Sequence, residues 1–442
     1  MTGDSHVSKK RKTTPSLSKD DLEVLATIDK RKLDFDSEKI CSVSLSKMDT
    51  FGCLVCGKYF KGCSERTPAF LHAVNDGHRV FVGFYNADIV VLPEGRSIQV
   101  TEGKPNSETD KFMRLLRNIK YSVNPTYTRE SIATFPRRCL DSAAGRPYYN
   151  GFVGLTKSTS SNTTFITTVL HALAHIPPVR DYMLLVDSHD NTKSALVQRL
   201  SIVVKKLWSP HLFKLHVGPD EFINNLLVEH PGVMEQGSAD PKLFFNWLVN
   251  ALCKQDKALK KILRVHCQGK LNDAVGSKHI PFWNLTLRLP ETSMFKDGRD
   301  INEQPQIELE KLVGDRFISN AAGPSIEASG LPHYLVLHIS RFEKGEFRVK
   351  SRNQTIVSFS ERLELTLSGR DEPIQYKLCS NIVHDPKKNI YNIEKDDEST
   401  WKVQVPNTST HEWVEMDSTT TTTRDINLLF LNESYLQVWE RI

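Results

Sequence analysis

Four side chains constrain the folding of this chain more than any other feature. Cys53 and Cys56 are separated by two residues, His72 follows after 15 more, and His78 after a further five. Two thiolates and two imidazoles in that order suit a tetrahedral zinc ion. Four protein ligands close the coordination shell and leave no open position for catalysis. In a small module such an ion supplies much of the folding energy. Reading the cysteines as core thiols and the histidines as surface residues fits the order and spacing less well. The expectation is a structural Zn2+ held by Cys53, Cys56, His72 and His78. Cys41 stands outside the four, either beside the site or as the remnant of a second one, and Cys63, in a polar loop, reads as a free thiol.

Eight cysteines in 442 residues form no dense disulfide framework, so the others read as reduced thiols of a cytosolic or nuclear protein. No apolar run approaches the roughly 18 residues of a membrane span, so no membrane partner is expected. The N-terminus carries no apolar signal-peptide core. A formal net charge of +5 is small for this length and does not announce nucleic-acid binding. Lys9-Lys10-Arg11-Lys12 is either a nuclear-import signal or a solvated tail, and the segment alone does not decide between them.

Composition divides the chain into a basic disordered tail (1–20), a cysteine- and histidine-bearing module (21–105), a connector (106–150) and one large domain (151–442). The connector reads as helical around Phe112–Leu116. In the large domain, Leu196, Val197, Leu200, Val203, Val204 and Leu207 share one helical face that Pro210 ends. Pro241 opens a second helix. Strands follow: Trp283 to Leu289, Tyr334 to Ile339 and Thr400 to Val405 alternate or run apolar. Helices first and strands later predict an α+β fold. Thr419 to Thr423 reads as a solvated hairpin loop.

Several boxes carry a family resemblance. Cys56-Gly57-Lys58-Tyr59-Phe60 resembles the C-G-R-x-[YF] signature of the UBP-type zinc finger. Lys58 stands where that family's arginine grips the ubiquitin C-terminus, and an ammonium lacks the bidentate fork, which weakens ubiquitin binding. Gly154-Leu155 with the helix from Thr164, Leu331 to Phe342, and Tyr435 to Trp439 resemble boxes of the ubiquitin-specific proteases, with Asp240 to Phe244 a fainter match. The resemblance implies a papain-like fold. It places the nucleophilic cysteine position on Thr164, the histidine position on Thr400 and the orienting residue on Asp417. Cysteine-protease chemistry needs a thiolate and an imidazole, so a pseudo-deubiquitinase is expected. Asn162 matches the box asparagine, and Ser158 to Ser161 replaces the usual approach to the nucleophile. No second pair of C-x2-C knuckles is present to bind metal in a fingers region. His384 reads as a strand-end or packing residue, and His171 and His175 as surface or core-edge residues.

Leu33 to Ser46, Lys206 to Pro210 and Asn381 to Asp385 sharpen the resemblance. They are similar to the inactive protease-like pre-mRNA splicing factors of the spliceosomal tri-snRNP, in which a cysteine stands at the position of Leu22. That resemblance implies a nuclear, non-enzymatic assembly factor. It would maintain the tri-snRNP through contacts with snRNP proteins, with at most indirect or weak RNA contact.

Overall fold

The computed structural model describes residues 17–100, 108–135, 138–143, 145–156, 163–187, 190, 192–235, 239–273, 278–291, 305–318, 324–342, 352–367, 372–387 and 398–442. The basic run Lys9–Lys12, the Ser158–Ser161 loop and Asn162 lie outside them. The chain forms two compact units that divide between Asn124 and Pro125.

The first unit is built on a five-stranded antiparallel sheet ordered Tyr59–Lys61, Thr50–Cys53, Val80–Gly83, Ile89–Val91, Arg96–Ile98. The strands are only three or four residues long, and one buried cluster beside the knuckle gathers Cys53, Phe60, Ala69, Ala73, Phe81 and Leu92. The helix Pro68–Asp76 opens on Pro68, which needs no N–H there, and ends at Gly77 in the left-handed conformation. A second helix, Lys19–Ala26, starts at a Ser18/Asp21 capping box. Asp20 and Asp21 pair with Arg96, and Asp20 also pairs with Arg79, tying that helix to the sheet. The helix Glu108–Val123 contains the stretch read as helical from sequence.

In the second unit the helix Thr164–Ala174 is buried on every side, the mark of a helix that runs through an interior rather than along a surface. Pro177–Leu185, Ala195–Leu207 and Pro241–Gln255 pack around it. The eight-stranded sheet runs Leu285–Arg288, Tyr334–Ser340, Glu433–Arg441, Ile374–Lys387, Glu398–Asn407, Glu412–Asp417, Thr420–Arg424, and Arg362–Leu365 also pairs with Ile374–Lys387. All pairs are antiparallel except Leu285–Arg288 with Tyr334–Ser340. One core carries Trp401, Val403 and Val405 against the helices, and another gathers Leu335, Leu337, Leu378 and Trp439. The α+β expectation holds. A rung of three buried amides and a carboxylate crosses the sheet: Gln437, Asn381, Gln404 and Glu415 stand opposite one another on four neighbouring strands. Asn381 donates to Gln404 and Gln404 to Glu415, so slipping any of these strands by one residue would orphan buried polar groups.

Two expectations are corrected. The threonine run is the edge strand Thr420–Arg424, paired in register with Glu412–Asp417, because β-branched side chains fit a pleated, half-solvated ribbon. His171 is not at a surface or a core edge: it is 2% exposed, and neither ring nitrogen has a hydrogen-bond partner. It sits on the helix that is buried all round, so no polar face was available to it.

Candidate functional site

The four ligand candidates of the first unit converge. Their donor atoms, Sγ of Cys53 and Cys56 and a nitrogen of His72 and His78, all lie within 4.8 Å of one another. Cys53 ends a strand and Cys56 closes the knuckle after it, with the Cys53 carbonyl accepting from the Gly57 N–H. Gly57 has φ +76°, and a Cβ there would meet the Lys32 carbonyl oxygen at 2.0 Å, so this turn requires glycine. His72 comes from the helix, stacked on Phe60 at 4.1 Å, and the left-handed Gly77 returns the chain so that His78 faces it.

His72 Nε2 lies 3.4 Å from Cys56 Sγ and 3.0 Å from His78 Nδ1, so those nitrogens face a shared point. Asp76, one turn on from His72, takes its Nδ1–H at 2.6 Å and fixes the ring for coordination through Nε2. Cys56 is drawn down to about 4 by the Cys53 thiol donating to it, with the Lys58 N–H and both imidazoles adding to the effect. Cys53, the proton's holder, is pushed up. A cation at the shared point takes over the role of that proton. The donor set is that of a closed structural zinc site, and the module binds zinc in that way. Cys41 is buried apart from the four, its sulfur accepting the Lys61 N–H at 3.2 Å and the Ser44 N–H at 3.4 Å. Among the described residues no other group of three or more histidines, cysteines and carboxylates could hold a metal. Lys58 is exposed.

In the second unit, Thr164 opens the buried helix and is 2% exposed. Its Oγ1 accepts the Trp401 N–H at 3.2 Å. Thr400 stands next to it in sequence from Trp401, and its hydroxyl donates to the Asp385 carbonyl at 2.6 Å. The Thr164 hydroxyl thus bonds the backbone of the residue that follows Thr400. Asp417 ends its strand, where its carbonyl accepts from Thr420 Oγ1 at 3.1 Å.

Trp401, whose backbone N–H bonds Thr164, is a residue that the sequence reading placed on a strand and not at the site. Its indole N–H donates to the Ala239 carbonyl at 2.8 Å, and its ring packs 4.6 Å from Tyr435 and 5.1 Å from His384. Tyr435 in turn donates to Asp240 Oδ1 at 2.9 Å, and burial pushes that carboxyl up. Truncating Trp401 to alanine is expected to cost about 3–5 kcal/mol in a urea unfolding titration of the second unit, because it leaves a cavity and an orphaned carbonyl.

His384 is a packing residue with partners the sequence did not disclose. Its side chain is fully buried. Nδ1 lies 3.0 Å from Glu433 Oε2 and Nε2 3.0 Å from Ser399 Oγ. Arg352 grips the same carboxylate through Nε and Nη2. Burial alone would raise Glu433, but the hydrogen bonds and charge of His384 and Arg352 hold it down, to about 2.

Residues 153–438 match the ubiquitin carboxyl-terminal hydrolase family, and residues 41–101 match the Zn-finger in ubiquitin-hydrolases and other proteins. The chain belongs to the ubiquitin carboxyl-terminal hydrolase family and carries that zinc finger ahead of its protease-like domain. It is 37% identical to the pre-mRNA-splicing factor SAD1 of Saccharomyces cerevisiae, over 94% of this chain and 93% of that one. It is 30% identical to the probable mRNA-splicing protein ubp10 of Schizosaccharomyces pombe, over 98% of this chain and 90% of that one. Among solved structures it resembles the crystal structure of an essential yeast splicing factor, with a TM-score of 0.80 and 37% identity over 95% of this chain and all of the other.

Proposed function

We propose that this chain is a nuclear pre-mRNA-splicing factor whose protease-like domain is a non-catalytic scaffold that maintains or assembles the tri-snRNP through protein contacts. The observation that carries the reading is the 37% identity to a splicing factor across 94% of the chain, spanning both the zinc finger and the protease-like domain. The chemistry of the aligned positions supports the non-catalytic half. A threonine hydroxyl needs a base, and Thr164 Oγ1 is buried and engaged by the Trp401 N–H, with threonine again at the histidine position. Affinity purification of the tagged protein from nuclear extract tests the scaffold role. Tri-snRNP proteins are expected in the eluate, and depletion is expected to lower intact tri-snRNP on gradients. An eluate free of snRNP proteins would sink the proposal. Ubiquitin vinyl sulfone is expected to leave the protein unlabelled, because the Thr164 hydroxyl is buried and bonded to the Trp401 N–H.

A second reading, a displaced hydrolase, has one observation in its favour. Ser399, His384 and Glu433 hydrogen-bond in the order hydroxyl, imidazole, carboxylate, the order of a serine triad. Against it, the imidazole is sealed under Phe342 and Trp401, and Glu433 is shared with Arg352. A fluorophosphonate probe is expected to give no adduct. An adduct lost in Ser399→Ala would establish this second reading.

A further inference from the structure

Outside the N-terminal tail, one segment of the chain is strongly basic. The 26 residues from Lys254 to His279 hold seven cations (Lys254, Lys257, Lys260, Lys261, Arg264, Lys270 and Lys278) against two carboxylates, Asp256 and Asp273. Their surplus equals the whole net charge of +5, and the remainder of the chain carries 51 cations and 51 carboxylates. Most of the segment is the helix Lys257–His266 and the strands Gly269–Asn272 and His279–Phe282.

On the helix, Lys257, Lys261 and Arg264 recur at helical spacing on the exposed face, with Lys260 half-buried beside them and Leu259 and Leu263 buried on the other side. Lys254, Lys270 and Lys278 are also exposed. Among the described residues none of the seven forms an ion pair. Asp256 is not available to balance them. It is 4% exposed, caps the helix through the Ala258 and Leu259 N–H groups, and receives Lys193 Nζ at 2.6 Å.

Helix stability does not account for this pattern. Lys257, Lys260 and Lys261 sit in the first five residues, at the positive end of the helix dipole, where cations are unfavourable, and no acidic residue occupies the first turn. A surface that keeps unpaired ammonium groups at that cost is suited to a polyanion. The exposed apolar side chains here are Val265 and Ile280, and no phenylalanine, tyrosine or tryptophan ring is exposed in the segment to stack on bases. Ammonium groups are point charges without a bidentate fork, so they suit the repeated charge of a phosphate backbone rather than base edges. Duplex RNA offers closely spaced phosphates and is read chiefly through its backbone and shape.

We propose that the helix face formed by Lys257, Lys261 and Arg264, with Lys254, Lys270 and Lys278 exposed nearby in the sequence, docks on the phosphate backbone of double-stranded RNA, without sequence selectivity. The test is fluorescence anisotropy of the full chain with a labelled RNA duplex of about 20 base pairs, repeated over a range of salt. The wild type is expected to bind, and the triple variant Lys257→Gln/Lys261→Gln/Arg264→Gln to bind at least tenfold more weakly. Three lost phosphate contacts should also flatten the slope of log K against log salt by about 2–3. Arg129→Gln/Arg138→Gln/Arg146→Gln removes the same charge from exposed sites elsewhere and is expected to bind within twofold of wild type. Circular dichroism of each variant confirms that it is folded. No binding by the wild type up to about 100 μM, or equal loss in both triple variants, overturns the proposal. Displacement of the duplex by polyglutamate at concentrations where unlabelled duplex fails would assign the face to an acidic protein segment and overturn it too.

Discussion

Removing zinc is expected to unfold the N-terminal unit and leave the C-terminal one folded. The first unit has strands of three or four residues, and a zinc ligand, Cys53, is itself one of its buried core side chains. A sheet that small does not bury enough apolar surface to fold alone. The metal joins the Cys53–Cys56 knuckle, the helix carrying His72 and the return at His78, so it closes the unit at three separate points. Structural zinc contributes on the order of 10 kcal/mol at neutral pH, more than the net stability of most domains. Zinc analysis should give one ion per chain, falling to none in Cys56→Ser. Proteolysis after chelation should degrade residues up to about the 124/125 division and spare the rest. Asp76→Asn should keep the fold but weaken zinc binding by about 10–100-fold, since only the orientation of His72 is lost. A chelated protein whose first unit resists protease would remove the metal from its folding.

The metal centre was legible in sequence because coordination demands particular residue types, and its four ligands are close in the chain. The same holds for the helices Ala195–Leu207 and Pro241–Gln255 and the strand Tyr334–Ser340, whose local periodicity or capping residues announce them. The illegible parts are non-local. Nothing near Thr164 says that a tryptophan N–H 237 positions away will bond its hydroxyl, nor does His384 announce Glu433 and Arg352. The threonine run was misread because its strand character comes from its partner: Glu415 faces Thr422 across the pair. The small net charge did not announce nucleic-acid binding, and only a count by segment reveals the basic stretch from Lys254 to His279.

Acidification from pH 7 to pH 5 is expected to destabilise the C-terminal unit by several kcal/mol. Burial pushes His175 down to about 4 and His338 to about 3, and it pushes His171 well below its ordinary value. The orphaned nitrogens on all three rings show why: no partner in the fold waits to receive an added proton. In the unfolded chain each imidazole titrates near 6.5. The unfolded state therefore binds a proton between pH 7 and 5 that the folded state refuses, and stability falls as pH falls through that window. His175 and His338 each account for about 2 kcal/mol at pH 5, and His171 adds loss of the same sign. Glu433 begins to lose its contribution only below its unfolded value near 4.5. Burial raises Asp240, which gains stability on acidification and so works against the loss. Urea titrations at pH 7 and pH 5 measure the difference directly. His171→Leu should be at least as stable as wild type at pH 7, since it removes two unbonded buried nitrogens, and its loss at pH 5 should be smaller than that of wild type. Identical pH dependence in that variant and the wild type would mean that His171 finds a proton acceptor in the fold.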